Sequence, residues 1–227
     1  MDPVLSAFYF GCVEHYHLLA GHPRAIIDIG EHYERQSYRT RTRIVGPNGV
    51  QDLNVRIARD HGKKMPMRSV ELSYAETWPE QHLHAIRSAY GKTPWFIHYI
   101  DDIEAVLMAR HRLLIELDLA TMRLGMKWLG LKTEVEVSKE YVGASRSAPP
   151  EAGDAGPDAA LSHLSYSRSP FDFRAALHPK RPLPPELKGA PPYPQVFADR
   201  HGFQPRLSVI DLVMNTGPEA ARTIRRP

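Results

Sequence analysis

Short apolar segments alternate with amphipathic ones along the chain, and this pattern predicts strands interleaved with helices. Residues 5–10 and 25–29 have the length and apolar character of buried strands, and residues 14–20 between them are interpreted as a short helix. A strand, a helix and a second strand at this spacing form a crossover unit, which joins parallel strands. The sequence therefore predicts an α/β fold, with a mixed β-sheet and flanking helices.

The pattern continues beyond these elements. The other predicted elements, in chain order, are a strand over 70–74, a helix over 77–90, a long helical region over 101–129, a strand over 133–137 and a helix over 207–215. Thr77 and Glu80 have the spacing of a capping box, which marks a helix start. Apolar residues recur at helical spacing through the long helical region, and we expect a bend near Gly125.

A β-hairpin is the clearest local prediction. Residues 37–45 and 50–58 alternate in the manner of strands, and an Asn-Gly pair between them is the strongest short signal for a two-residue turn. With Asn48 and Gly49 as the turn, Ile44 faces Leu53 on a mostly apolar side of the hairpin. The alternation holds along both strands, so the register is predicted to be well specified.

The opposite side of this hairpin carries a row of arginines. Arg39, Arg41 and Arg43 alternate along the first strand, so all three point the same way, about 7 Å apart, and Arg56 is expected opposite Arg41. Guanidinium groups bind phosphate and carboxylate groups through paired hydrogen bonds, which favours a site for an anionic ligand. A solvated basic face neutralised by neighbouring acids is the alternative, because rows of surface charge are common.

Two histidines are candidates for acid–base chemistry. His32 follows the predicted strand over 25–29, near a carboxyl end of the kind where α/β proteins bind ligands, and a structural loop histidine is the alternative. His82 and His84 are two residues apart on a predicted helix, so they do not share a face, and no metal site is expected there. His82 would instead line a pocket wall with Trp78.

Composition and charge narrow the classes of function. Apolar residues make up 42% of the 227 residues, enough for a sizeable core, and the net charge of +3 is too mild to indicate a nucleic-acid binder. Cys12 is the single cysteine, which excludes an intrachain disulfide and favours a buried, inert thiol over a nucleophile. No apolar stretch reaches the length of a membrane span, and the first residues lack the features of a signal peptide. A cytoplasmic protein without membrane insertion is expected.

Proline is concentrated in one part of the chain. Twelve of the 20 prolines lie between residues 145 and 205. Residues 145–162 form a low-complexity segment that is predicted as a flexible insert, whereas the polar and aromatic residues that follow indicate an arm that packs back on the domain. We therefore expect a single domain over 1–218, with the insert at 145–162 and a tail at 219–227.

Several long, irregular motifs resemble the WbqC-like protein family. They are E-H-Y-x-R-Q-S-Y-R-T-R at 31–41, N-G-V-Q-D-L at 48–53, W-P-x-Q-H at 78–82, S-A-Y-x-K-x-P-W-F at 88–96, and a stretch at 193–218 that begins Y-P-Q-V-F and ends N-T-G-P. The resemblance extends from about residue 9 to residue 218, apart from 145–162. The chain departs from the family pattern at Thr40 and Arg206, where asparagine is expected.

The resemblance implies a function in bacterial surface-polysaccharide (O-antigen) biosynthesis. It implies a transferase-like enzyme that acts on an activated, phosphate-bearing sugar or acyl donor, and the gene context of some members suggests the addition of glycine to a sugar. A non-catalytic ligand-binding or scaffold protein of the same pathway is the alternative. The expected partner is a small anionic molecule such as a sugar nucleotide, with no nucleic acid, no cofactor and no metal.

Matching positions and the hairpin geometry together predict the site. The catalytic candidates are His32, His82, Asp172 and Asp211. The substrate-binding candidates are Tyr33, Gln36, Ser37, Arg39, Arg41, Arg43, Trp78, Tyr90, Arg174, Lys180, Tyr193, Gln195 and Asn215. Of these, Arg43 rests on the geometry alone. In the predicted mechanism the cations hold the anionic group, a histidine is the general base, and an aspartate orients the histidine or binds sugar hydroxyls.

Overall fold

The computed structural model describes residues 2–58, 65–143, 171–185, 187 and 189–225. The predicted insert at 145–162 lies outside the described residues. The helices and strands, in chain order, are β1 (Val4–Leu5), α1 (Val13–Ala20), β2 (Arg24–Asp28), β3 (Arg41–Gly46), β4 (Gly49–Asn54), α2 (Trp78–Tyr90), α3 (Phe96–Met108), α4 (Leu114–Trp128), β5 (Glu134–Ser138), α5 (Ala198–His201), α6 (Val209–Thr216) and α7 (Ala220–Arg225). One-turn 3₁₀ helices cover Met67–Ser69 and Gly217–Glu219.

A parallel sheet with the strand order β1-β2-β5 organises the fold. Helix α1 joins β1 to β2 as the predicted crossover, and Ile27 of β2 pairs with Leu5 on one side and with Val137 on the other. The α/β prediction is therefore confirmed. Strand β1 is shorter than the predicted strand over 5–10, because the chain turns inward after Leu5 and Phe10 has a φ of 40°.

The predicted long helix over 101–129 is two helices, α3 and α4, and it is interrupted before Gly125. Arg110 has a φ of 47°, which ends the first helix. The segment between the helices then pairs with the chain at 70–72: Leu114 donates its backbone N–H to Val70, and Leu72 donates to Arg112. The predicted strand over 70–74 is thereby reduced to isolated bridges at Glu71 and Leu72.

Gly125 has a packing role inside α4 instead of bending it. A Cβ atom at this position would overlap the hydroxyl and ring of Tyr16, which is fully buried against the helix. The Tyr16 hydroxyl donates to the backbone oxygen of Thr121 at 3.4 Å. The glycine therefore allows α1 and α4 to approach closely at this point.

We expect Gly125→Ala to lower the free energy of unfolding by about 1–3 kcal/mol, because the added methyl group displaces a packed ring. The cost of displacing the Tyr16 ring is larger than the gain of about 1 kcal/mol in helix stability that comes from replacing glycine with alanine. Urea denaturation measures the change. Gly46→Ala is the control, since a Cβ there would meet nothing within 4 Å. Equal stability of the two variants would contradict the packing role.

The hairpin forms as an antiparallel pair, β3 and β4, with a register two residues away from the predicted one. Thr42 pairs with Leu53, and Ile44 pairs with Gln51 and not with Leu53. Pro47 and Asn48 are the turn residues, because the fixed negative φ of proline suits the turn and Gly49 takes the positive φ of 106° that closes it. A shift of two residues keeps each side chain on its predicted side.

The first hairpin strand starts at Arg41, whereas residue 37 was predicted as its start. Residues 37–40 form turns, and Gln36 before them has a φ of 56°. Arg39 consequently leaves the predicted row of arginines. Arg56 follows the end of β4 and is paired with none of the arginines in the row. The residue opposite Arg41 is Asn54.

The arm beyond the insert returns to the parallel sheet. Val4 donates its backbone N–H to Phe171 at 2.8 Å, and Phe173 donates to Val4 at 2.8 Å, so the arm runs along the free edge of β1. Further on, Ser208 caps α6 by accepting a hydrogen bond from the backbone of Ile210. The segment predicted as a tail contains α7, in which Ala220 and Ile224 are buried in the core.

No helix among the described residues is long and apolar enough to cross a membrane.

Candidate functional site

The carboxyl ends of β1 and β2 meet the arm at one edge of the parallel sheet. Ser6 follows β1, the loop over 30–39 follows β2, and the arm contributes residues 171–181. This edge is where α/β proteins place their ligand sites. We call the residues assembled here the carboxyl-end site; its members are Ser6, Glu31, Glu34, Gln36, Arg39, His178, Lys180 and Arg181.

A buried ion pair forms the floor of the carboxyl-end site. Arg39 Nε donates to Glu31 Oε1 at 2.9 Å, and Arg39 Nη2 donates to Glu31 Oε2 and to Ser6 Oγ, both at 2.7 Å. Arg39 is 2% exposed and Glu31 is 5% exposed. Arg39 was predicted on an open strand face, but the turns over 37–40 carry it into the interior, where a paired fork of hydrogen bonds satisfies it.

A buried acid lies in the interior, close enough to this pair to be affected by its charges. Asp118 of α4 is fully buried, and neither carboxylate oxygen has a hydrogen-bond partner within the described part of the chain. Burial raises the pKa of Asp118 well above its usual range; the charge of Arg39 opposes this shift and the charge of Glu31 adds to it. Sequence reasoning missed Asp118, and the available signal was an acid between apolar positions of the helix.

A second buried pair fastens the arm to the loop after β2. Arg174 donates from Nε and Nη2 to the two oxygens of Asp172, at 2.9 and 2.7 Å, and from Nη1 to Asp28. Asp28 also accepts the backbone N–H groups of Gly30 and Glu31 through Oδ1. Asp172 and Arg174 were predicted site residues. Their hydrogen bonds tie the arm to Asp28 at the end of β2, a residue that the prediction did not include.

Cationic side chains of the arm form the outer part of the carboxyl-end site. Lys180 Nζ donates to Gln36 Oε1 at 2.5 Å, and Arg181 Nη2 donates to Glu34 Oε1 at 2.8 Å. Arg39 Nη1 lies 3.5 Å from the other oxygen of Glu34. Buried and exposed cations are thus brought together around one carboxylate.

His178 lies beside these cations and is 8% exposed. Its Nδ1 accepts the backbone N–H of Lys180 at 3.1 Å, so the proton of the neutral ring is on Nε2. Burial lowers the pKa of His178, as do the charges of Arg181, Arg39 and Lys180, while Glu34 opposes them. His178 is therefore a neutral hydrogen-bond donor. The prediction included Lys180 but missed this residue, which is only two positions earlier.

The loop after β2 holds four more predicted residues. His32 is exposed and its backbone bridges to Pro66. Tyr33 shares a hydrogen bond with Thr40 at 3.3 Å. Ser37 donates to the Glu34 backbone at 2.7 Å, and Gln36 contacts Lys180. Eight predicted residues therefore lie in this region: His32, Tyr33, Gln36, Ser37, Arg39, Asp172, Arg174 and Lys180.

A second group of predicted residues forms a buried hydrogen-bond network around Asp211, apart from the carboxyl-end site. Tyr90 and Tyr193 donate their hydroxyls to the two oxygens of Asp211, at 2.7 and 2.8 Å. Asn215 donates to the Asp211 backbone and accepts from Val196, and Gln195 exchanges hydrogen bonds with Gln204. Burial raises the pKa of Asp211 to about 6, against the lowering effect of these hydrogen bonds. We call this the Asp211 lock.

Trp78 and His82 belong to the hydrophobic core. His82 Nδ1 is 2.9 Å from the hydroxyl of Tyr9. Burial lowers the pKa of His82 to about 4. Trp78 is 1% exposed and donates Nε1 to the Ser73 backbone. Both side chains are thus held inside the protein, and Nδ1 of His82 is engaged with Tyr9.

The hairpin arginines form ion pairs with neighbouring acids. Asp52 bridges Arg41 and Arg43, with both nitrogen–oxygen distances at 3.0 Å. Arg56 pairs with Glu76, also at 3.0 Å. These ion pairs favour the solvated basic face, one of the two interpretations of the sequence, and the hairpin arginines do not join the carboxyl-end site.

Arg206 occupies one of the two positions where the resemblance predicts asparagine. Its φ of 58° is a left-handed conformation that asparagine adopts more readily than arginine. The side chain donates Nη1 to the backbone oxygens of His178 and Arg181, at 3.3 and 2.5 Å. Arg206 thus holds the cationic part of the arm in place.

No group of three or more histidine, cysteine, aspartate or glutamate side chains within the described ranges is arranged to hold a metal ion. Two surface cavities lie away from the carboxyl-end site. One, of about 280 Å³, is beside the Asp211 lock at Tyr193 and Asn215. The other, of about 570 Å³, lies between α2 and β4 at Gln51 and His84.

A family model matches this chain over most of its length. The model of the WbqC-like protein family covers residues 8–152 and 185–223. No curated protein and no solved structure matches the chain. The segment that the family model leaves out is 153–184, whereas the motifs indicated 145–162. Asp172, Arg174 and Lys180 lie in the unmatched segment, so their place in the site rests on the geometry.

Proposed function

Because this chain belongs to the WbqC-like protein family, we propose that it is a cytoplasmic transferase of bacterial surface-polysaccharide (O-antigen) biosynthesis. The substrate is an activated, phosphate-bearing sugar or acyl donor, and the transfer of glycine to a sugar is one reaction of this class. The observation that carries the proposal is the grouping of cations around one loop: Arg39 and Arg181 meet at Glu34, and Lys180 binds Gln36 two residues further on. Several cations at the carboxyl ends of parallel strands favour an anionic ligand.

Each side chain has a role that follows from its setting. Lys180 and Arg181 are exposed and can follow a phosphate group as it binds, whereas Arg39 is held rigidly by Glu31 and Ser6. His178 donates from Nε2 and does not accept, because Nδ1 is already engaged. These donors stabilise the negative charge that the phosphate leaving group gains during transfer.

His32 is the general base in this proposal. It is exposed on the same loop, and histidine is the side chain that most often transfers protons in enzyme sites. His32 takes the proton from the acceptor amine or hydroxyl as that group attacks the donor. The cations of the carboxyl-end site hold the phosphate leaving group. His82 and Asp211, the other acid–base candidates, are committed to hydrogen bonds of the core and of the Asp211 lock.

A non-catalytic binding protein of the same pathway is the second candidate. The observation in its favour is that two of the four catalytic candidates are buried in structural hydrogen bonds. Both candidates bind the same small anionic molecule and neither requires nucleic acid. Turnover of a bound sugar nucleotide distinguishes the transferase from the binding protein.

We expect the wild-type protein to bind inorganic pyrophosphate and Lys180→Ala to bind it about tenfold more weakly, the loss typical of one charged hydrogen bond. Isothermal titration calorimetry measures both affinities. Lys132→Ala is the matched control, because Lys132 is an exposed lysine at the opposite, amino end of β5. Absence of binding to pyrophosphate and to a nucleoside diphosphate sugar by the wild-type protein would refute the anion site.

A further inference from the structure

The carboxylate of Glu34 lies inside the cationic part of the carboxyl-end site. One oxygen accepts from Arg181 Nη2 at 2.8 Å, and the other is 3.5 Å from Arg39 Nη1. Lys180 is close by, on the amide of Gln36, which is two residues along the same loop. Glu34 therefore occupies the place that the proposed function gives to the negative group of a ligand.

The hydrogen bonds of Arg39 fix which of its nitrogens faces Glu34. Its Nε and Nη2 are committed to Glu31 and Ser6, so Nη1 faces Glu34. The Arg39 side chain is 3% exposed and cannot move away, whereas the side chains of Glu34 and Arg181 are 34% and 54% exposed. Glu34 can thus rotate into solvent and leave a fixed guanidinium nitrogen behind for a ligand.

The balance of charges around Glu34 determines how much negative charge a ligand needs in order to replace it. Arg39, Lys180 and Arg181 carry three positive charges, and the carboxylates paired with them in the described part of the chain are Glu31, bound to Arg39, and Glu34. Among the same residues Lys180 donates to a neutral amide and to no carboxylate, which leaves its charge for a ligand. A ligand with a single negative charge makes only the contacts that Glu34 already makes. Glu34 competes with such a ligand because it is tethered to the chain, which gives it an effective concentration in the millimolar range. A ligand with two adjacent charges gains Lys180 as well.

We propose that Glu34 is a specificity-determining residue, an internal carboxylate that excludes simple carboxylates from the site and admits ligands with two or more adjacent negative charges, such as a pyrophosphate group. This inference rests on the proposed function and deepens it. Binding is an exchange: the ligand's oxygens replace those of Glu34 on Arg39 and Arg181. No covalent step is involved.

The test is Glu34→Gln, which keeps the shape of the side chain and removes its charge. We expect this variant to bind inorganic pyrophosphate about tenfold more tightly than the wild-type protein, because one like charge has left a partly exposed site. We also expect acetate binding to become measurable by calorimetry. Glu134→Gln is the matched control, since Glu134 is an exposed partner of Arg24 at the other end of the sheet.

The outcomes separate the two proposals. Tighter pyrophosphate binding by Glu34→Gln than by a wild-type protein that also binds supports the role of Glu34, whereas binding by the variant alone contradicts the admission of pyrophosphate by the wild-type site. If the wild-type protein binds pyrophosphate and the variant binds no more tightly, the inference is overturned and the anion site remains. If neither protein binds, both proposals fail.

The pKa of His178 provides a second test of the geometry on which the inference depends. Glu34 opposes the lowering of the His178 pKa by Arg181, Arg39 and Lys180, so Glu34→Gln should lower that pKa further. Pyrophosphate should raise it by returning negative charge to the site. NMR titration of His178, assigned with a His178→Gln variant, measures both shifts. A titration that neither the substitution nor pyrophosphate moves would overturn the inference.

Discussion

Replacing Arg39 with alanine is expected to lower the free energy of unfolding by about 3–5 kcal/mol, the loss measured when one partner of a buried ion pair is removed. The substitution leaves the Glu31 carboxylate at 5% exposure without its two guanidinium hydrogen bonds. It also removes the positive charge that opposes the raised pKa of the buried Asp118. Urea denaturation at pH 7, followed by circular dichroism, measures the change.

Arg56→Ala is the matched control for Arg39→Ala. Arg56 pairs with Glu76 at 3.0 Å, a distance similar to that of the buried pair, but both side chains are more than half exposed. Its loss should change stability by no more than about 1 kcal/mol, as for other surface pairs. If the two variants were equally stable, Arg39 would not be a buried structural cation, and its predicted place on an open strand face would be restored.

Asp211→Ala is expected to lower the free energy of unfolding by about 2–4 kcal/mol, because it leaves two buried tyrosine hydroxyls without their acceptor. Tyr90 and Tyr193 both donate to this carboxylate, and they tie α2 and the arm to α6. Urea denaturation again measures the loss. Asp102→Ala is the control, because Asp102 accepts from Lys127 and Trp128 at a partly exposed position.

The pH dependence of stability identifies Asp211 separately. Its folded pKa of about 6 is above the value near 4 of an unfolded aspartate. The native state therefore holds the proton more tightly, and this contribution is fully present below pH 4 and is lost as the pH rises towards 6. The stability difference between the wild-type protein and Asp211→Asn should decline by about 2–3 kcal/mol over that interval. A difference that is constant from pH 4 to pH 7 would contradict the raised pKa.

The predicted site divides into parts with different tasks. The anion binding expected of the arginine row is proposed instead for the carboxyl-end site, whose cations are Arg39, Lys180 and Arg181 and do not include Arg41 or Arg43. The Asp211 lock holds the arm and so positions that site indirectly. Motif residues of the family can therefore serve the fold, and membership of the motif does not make a residue catalytic.

Local periodicity was enough for much of the architecture. The crossover between β1 and β2, the hairpin with its two sides, and the helices α2 and α6 follow from spacings of two to four residues that the sequence displays directly. Such spacings decide which side chains share a face of one element. The motifs also sufficed for the family, which the match over 8–152 and 185–223 confirms.

The carboxyl-end site depended on information that no short spacing contains. A positive φ at Gln36 turned Arg39 inward, and the return of the arm brought Lys180 within reach of Gln36, 144 positions earlier in the chain. Tyr90 and Asp211, which are 121 positions apart, meet because their helices pack together. By itself the sequence determined the elements, their faces and the family. Only the tertiary structure decided which polar groups were buried and with which partners, since burial depends on the packing of segments that are distant along the chain.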